Sequence, residues 1–172
     1  MQTALRFPTE LLLRAQGGAF GMKAAIFDVD GVLTDGRIYI GEQGESFKAF
    51  STLDGHGLKL LKAGGIEPVV ITGRDAPAVR RRMQDLGIAH ALFGVKDKLA
   101  AATPLLQQLG CGWSQVAAMG DDWPDLPLLL RAGLSWGDNL DQDAVAQGRP
   151  RALGAAGRLR EQELERERAA RH

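Results

Sequence analysis

The chain has one cysteine, no excess of charge of either sign and no long apolar run. A lone thiol, Cys111, excludes an intramolecular disulfide framework and cannot by itself build a zinc site. Its place in a turn before an apolar strand reads as structural. Lysines and arginines number 21 against 21 aspartates and glutamates. No global field therefore draws the chain to nucleic acid or membrane, and an anionic substrate has to be attracted by local charge. No stretch approaches the roughly 18–20 apolar residues that span a bilayer. Leu11, Leu12 and Leu13 are too few for the core of a secretory signal and are cut off by Arg14, so the expected compartment is the cytoplasm. Also missing is a Gly-x-Gly-x-x-Gly opening a helix after the first strand, which weighs against a dinucleotide-binding module. What remains, 172 residues with 45% apolar and 24% charged, is enough for one soluble domain with a substantial core.

The chain is organised around Lys23 to Gly36, KAAIFDVDGVLTDG. Ala24 to Phe27 form an apolar strand, and two carboxylates, Asp28 and Asp30, appear where it ends in a glycine-bearing loop. Alternation along an extended chain puts both on one face and turns Val29 into the packing. Two adjacent carboxylates repel, so a fold that keeps them together supplies a cation beside them. Downstream, RIYIGEQGESFKAF reads as a β-hairpin over about 37–50. Ile38, Ile40, Phe47 and Phe50 offer more apolar surface than a solvated flap needs, which favours an oligomer contact. Asp54 is expected to cap the next helix. IEPVVITGR reads as a core strand, Ala76 to Leu86 as a helix whose Arg80, Arg81 and Arg82 face solvent, and Ala91 to Phe93 as a short strand. A helix from Leu99 to Leu109, the strand VAAMG, a helix in DLPLLLRAG and a strand at GLSW follow. The alternation predicts an α/β fold: a doubly wound, Rossmann-like parallel sheet with helices on both faces and a β-hairpin inserted after the first strand. Residues 1–22 read as an appendage, 23–148 as the domain and 149–172 as a tail dense in arginine and glutamate.

The strand ends carry the chemistry. Asp28 and Asp30 are joined by Thr72, by Lys98 opening a helix, and by Asp121, Asp122 and Asp125 in GDDWPD. Several carboxylates at one sheet edge are the hard oxygen ligands Mg²⁺ prefers, with room left for water and a phosphate oxygen. Thr72 offers a hydroxyl to nonbridging oxygens, and Lys98 a fixed positive charge for phosphate and nucleophile together.

In order and kind these residues resemble the four motifs of the haloacid dehalogenase superfamily: DVD, then ITGR, DK and GDDWPD. The resemblance implies that Asp28 is the nucleophile and Asp30 the general acid and base. It implies that Asp121 binds Mg²⁺ with Asp28 and the backbone carbonyl of Asp30, while Asp122 and Asp125 hold water or orient the loop. Only the hairpin stands where a cap domain would be inserted, which is the capless type. LDGHGLKLL, GVKDK and the hairpin sequence make the chain similar to the 3-deoxy-D-manno-octulosonate 8-phosphate phosphatases over about residues 23–135. That likeness implies a sugar-acid phosphatase of lipopolysaccharide biosynthesis and a homotetramer built through the hairpin. It also implies a substrate wall that includes Asp54, His56, Gly73 and Arg74. A nine-carbon sialic-acid phosphate is the alternative substrate, and a noncatalytic structural or regulatory homologue the alternative role. Beyond Ser135 the pattern departs from the family, whose closing Gly-Gly-x-Gly-Ala-x-Arg-Glu is echoed only loosely by GAAGRLRE, Gly154 to Glu161.

Overall fold

The computed structural model describes residues 21–42 and 44–137. The expectations for most of the 1–22 appendage, for the end of the 23–148 domain and for the 149–172 tail lie outside the described residues.

Among the described residues seven strands and four α-helices succeed one another: β1 (Ala24–Phe27), β2 (Tyr39–Gly41), β3 (Gly44–Phe47), α1 (Thr52–Ala63), β4 (Glu67–Ile71), α2 (Pro77–Leu86), β5 (His90–Leu92), α3 (Lys98–Gln108), β6 (Val116–Gly120), α4 (Leu126–Arg131) and β7 (Leu134–Gly137). Five strands form one parallel sheet in the order β5-β4-β1-β6-β7, and β2 pairs with β3 as an antiparallel hairpin. In register, Ile26 of β1 lies between Val69 of β4 and Ala118 of β6.

Alternation along these strands divides the core in two. Ile26, Val69, Ile71 and Ala118 pack toward Ala102 and Leu106 of α3 and Leu126, Leu128 and Leu129 of α4. Val70 turns the other way, into a cluster with Leu58 of α1 and Val79 and Met83 of α2. Each fully buried side chain of this size contributes about 1.5–3 kcal/mol, and two such faces hold a doubly wound α/β sheet together. Val29 is fully buried in the second cluster, so the residue between the two aspartates anchors their loop.

Two local expectations are corrected. Ser51, not Asp54, caps α1: its Oγ accepts from the amides of Leu53 at 3.1 Å and Asp54 at 3.3 Å. Asp54 sits in the first turn, where its charge suits the helix dipole. Phe50 lies beyond β3 and packs against the second core cluster, with the Arg82 guanidinium 5.8 Å from its ring. The exposed apolar surface of the hairpin is therefore Ile38, Ile40 and Phe47.

Candidate active site

The strand order sends the chain from β1 outward to β4 and β5, then back across to β6 and β7 on the other side of β1. The carboxyl ends of β1 and β6 thus flank a switch point, where an open parallel sheet leaves a crevice for ligands. Asp28 follows β1 directly, and its amide donates to the Met119 carbonyl at 3.1 Å, tying the two strand ends together. Asp121 follows β6. Lys98 arrives as the first residue of α3, whose start is fixed by the Asp97 side chain accepting the Ala100 amide at 2.9 Å.

At this edge the Lys98 ammonium is buried between two carboxylates, 2.8 Å from Asp28 Oδ1 and 2.6 Å from Asp125 Oδ1. The other oxygen of Asp125 accepts the amides of Asp121 at 3.2 Å and Asp122 at 3.3 Å. Asp125 thereby fixes the loop after β6 from beneath. A Cβ on Gly120 would overlap the Asp125 carboxyl group, so only glycine lets that group fold back under the strand end. Asp122 is exposed, and its Oδ1 caps the following turn through the Trp123 amide at 2.7 Å.

Burial, and then the negative charge of Asp125, push the Asp28 carboxyl above its usual range, and Lys98 opposes both. Burial alone would weaken the Lys98 ammonium, but the charges of Asp28 and Asp125 outweigh it and hold the group protonated. The result is a carboxyl group held in a desolvated place beside a cation that opposes, without cancelling, the effect of burial.

The cluster also fits a divalent metal. One oxygen each from Asp28, Asp121 and Asp125 lie within 4.8 Å of one another. With Asp125 engaged by Lys98 and two amides, Asp28 and Asp121 are the carboxylates placed to coordinate. All the donors are oxygen, the set for a hard cation such as Mg²⁺. Gly31, at φ 94°, passes so close to Asp121 that a Cβ there would collide with its carboxylate, so the loop after β1 closes over the cluster only with glycine.

No family model matches the chain. A curated relative, the 3-deoxy-D-manno-octulosonate 8-phosphate phosphatase KdsC of Yersinia pestis, is 45% identical over 117 residues, which cover 68% of this chain. The match spans 63% of the relative's length. Among solved structures, a probable YrbI family phosphatase from Pseudomonas syringae is 47% identical with a TM-score of 0.69, over 74% of this chain and 70% of that one. The chain belongs to the YrbI/KdsC phosphatase family of the haloacid dehalogenase superfamily. A further family member, from Moraxella catarrhalis, was solved with magnesium, phosphate and a KDO molecule. It is 45% identical, with a TM-score of 0.63 over 65% of this chain and 64% of that one.

Within this YrbI/KdsC scaffold, Asp30 faces a different set of partners from Asp28. Its carboxylate is held at Oδ1 by the ammonium of Lys48, just past β3, while Arg74 Nε stands 3.9 Å from Oδ2. Lys48 Nζ is also 2.8 Å from Glu45 Oε1, an ion pair outside the alignment of a hydrogen bond. Arg74 Nη2 donates to Glu45 Oε2 at 2.8 Å. The Lys48 ammonium beside it, working against the cost of burial and joined by Arg74, holds the Glu45 carboxyl below its usual range. Thr72, the residue after β4, is fully buried, its Oγ1 accepting the Arg74 amide at 3.2 Å. Gly73 is exposed in the same loop.

Asp54 and His56 are exposed on α1. Asp54 lines an apolar cavity of about 580 Å³ with Leu58, Leu61 and Met119, a space that neither Lys98 nor Asp121 borders. Among the described residues neither Asp54 nor His56 is hydrogen-bonded to the carboxylate cluster. Sequence reasoning missed Glu45 and Lys48 altogether.

Proposed function

We propose that the chain is a Mg²⁺-dependent phosphatase that releases phosphate from a phosphorylated sugar acid, with 3-deoxy-D-manno-octulosonate 8-phosphate as substrate. The observation that carries this reading is the buried Lys98 clasping Asp28 beside Asp121 at the β1/β6 switch point. A nucleophile, its fixed counter-cation and a metal-binding carboxylate meet at one crevice. The names of the relatives favour the eight-carbon substrate over the nine-carbon sialic-acid phosphate.

In this reading Asp28 forms a bond to phosphorus as the bond from phosphorus to the sugar oxygen breaks, and Asp30 gives its proton to that oxygen. Water then attacks the aspartyl-phosphate, Asp30 takes the water's proton, and Asp28 is regenerated. Lys98 favours the ionised form of Asp28 and holds its carboxyl in place. The Thr72 hydroxyl and the amides of its loop, Gly73 included, would donate to nonbridging oxygens. Asp28, Asp121 and the backbone carbonyl of Asp30 would hold Mg²⁺, which when bound supplies charge for the phosphate oxygens. Arg74 suits the sugar-acid carboxylate, with Asp54 and His56 as contacts at the outer wall. Steady-state phosphate release tests the reading. Release from the eight-carbon substrate is expected to exceed release from the nine-carbon one and to stop with chelator. Chelator-insensitive release, or none, would sink it.

We also propose a cytoplasmic homotetramer assembled through the hairpin. Ile40 is 71% exposed and Phe47 55%, and the Tyr39 and Phe47 rings stack 4.4 Å apart to present one apolar face. Such a face on a two-stranded ribbon is stabilised by burial against a copy of itself. Ile40→Asp combined with Phe47→Asp is expected to convert tetramers to monomers in sedimentation velocity. An unchanged mass would remove the hairpin from the assembly.

A further inference from the structure

We propose that Lys48 is a positioning residue for Asp30: it fixes one carboxylate oxygen so that the other, Oδ2, faces the leaving group. The inference rests on the phosphatase reading above and assigns a role to a residue of the hairpin. A lysine is almost never fully buried unless paired. The Lys48 side chain is 0% exposed, yet it lies only one residue beyond the exposed strand β3. Its ammonium reaches Asp30 Oδ1 on one side and Glu45 Oε1 on the other. Glu45 in turn is bridged to Arg74, which follows the end of β4. Three charged groups, Lys48, Glu45 and Arg74, thus surround the Asp30 carboxylate, Lys48 bonded to Oδ1 and Arg74 Nε farther off, 3.9 Å from Oδ2.

The chemistry explains why such a clamp matters. A proton donor has to sit within hydrogen-bond reach of the bridging oxygen, and a free aspartate would rotate about its side-chain torsions. With Oδ1 taken by Lys48, the proton that passes to the leaving alkoxide, and later the proton removed from water, are both carried at Oδ2. Desolvation works against the Lys48 charge, but bonding to Asp30 and Glu45 outweighs it and keeps the ammonium protonated. The same clamp makes the hairpin part of the catalytic geometry rather than only an assembly surface.

The leaving group reports on this role directly. An alkoxide needs a proton as it departs, whereas p-nitrophenolate leaves without one. Lys48→Met is expected to lower kcat/KM for the sugar-acid phosphate by about 10²-fold and for p-nitrophenyl phosphate by less than about 3-fold. Lys48→Arg is expected to recover part of the loss. An equal loss on both substrates would mean that Lys48 serves the fold or the phosphate itself, and no loss on either would mean that it serves neither. Both results overturn the proposal. If Lys48→Met does not fold, Glu45→Gln carries the test: it removes the second anchor of the ammonium and is expected to cost the sugar-acid phosphate about 3- to 10-fold. Again p-nitrophenyl phosphate should be spared, and an even loss would overturn the inference. A wild-type chain that releases phosphate from neither compound removes the phosphatase reading and this inference with it. Wild-type release, abolished by Asp28→Asn but unaffected by Lys48→Met, removes the inference alone.

Discussion

Asp28→Asn is expected to reduce phosphate release by at least about 10⁴-fold while leaving a folded protein. An amide in place of the carboxylate keeps the shape and the backbone bond to Met119 but cannot attack phosphorus. It also removes a charge that Lys98 now meets at 2.8 Å. Because Asp125 remains 2.6 Å from the same ammonium, the cation stays paired and the cost to stability is modest. The burial that pushes the Asp28 carboxyl upward falls away with the charge itself, which offsets part of what the lost pair contributed. The check is twofold: phosphate release at saturating Mg²⁺, and an unfolding free energy from denaturant titration within about 1 kcal/mol of the wild type. Residual release within ten-fold of the wild type would mean that phosphorus is attacked by water directly and that Asp28 only binds metal.

The sheet and most of this cluster were legible because periodicity and strand ends carry them. Alternation placed Val29 in the core and both aspartates at the edge, and the structure buries Val29 completely. The ITGR and GDDWPD stretches end β4 and β6 as read. What was not legible lies in the hairpin. Lys48 follows a strand whose neighbours are exposed, and nothing in local periodicity says that its side chain turns inward to a partner 18 residues away. Glu45 is likewise ordinary until Arg74 is brought to it across 29 residues. Charge partners at that separation are set by tertiary packing. Phe50 and Ser51 did leave a signal. Residues 47 and 50 fall on opposite faces of an extended chain, and a serine three places before Asp54 is the better cap because its hydroxyl reaches two free amides.

Lys98→Met is expected to have the largest combined effect, a loss of activity on the order of 10³-fold together with about 3–5 kcal/mol of stability. Asp28 and Asp125 are both buried, and without the ammonium they share a desolvated site with no fixed cation. The dependence on pH tests this cause. In the wild type, Lys98 is held above its ordinary 10.5, so its contribution is complete below that value and is lost only as the pH rises through the higher folded one. Asp28 behaves in the opposite sense to a salt-bridged carboxylate. Its pKa lies above 3.8 because of burial and Asp125, so the folded state holds a proton that the unfolded chain releases, and stability falls as pH rises through that window. Removing Lys98 deletes both the charge and the hydrogen bond by which its side chain opposed this rise, so the window widens upward. Urea unfolding with metal chelated is therefore expected to show a larger deficit for Lys98→Met at about pH 8 than at about pH 5. A deficit independent of pH would assign the loss to packing around α3 rather than to the uncompensated carboxylates. Added Mg²⁺ is expected to restore part of the stability at the higher pH, since a cation shared by Asp28 and Asp121 replaces some of the missing charge.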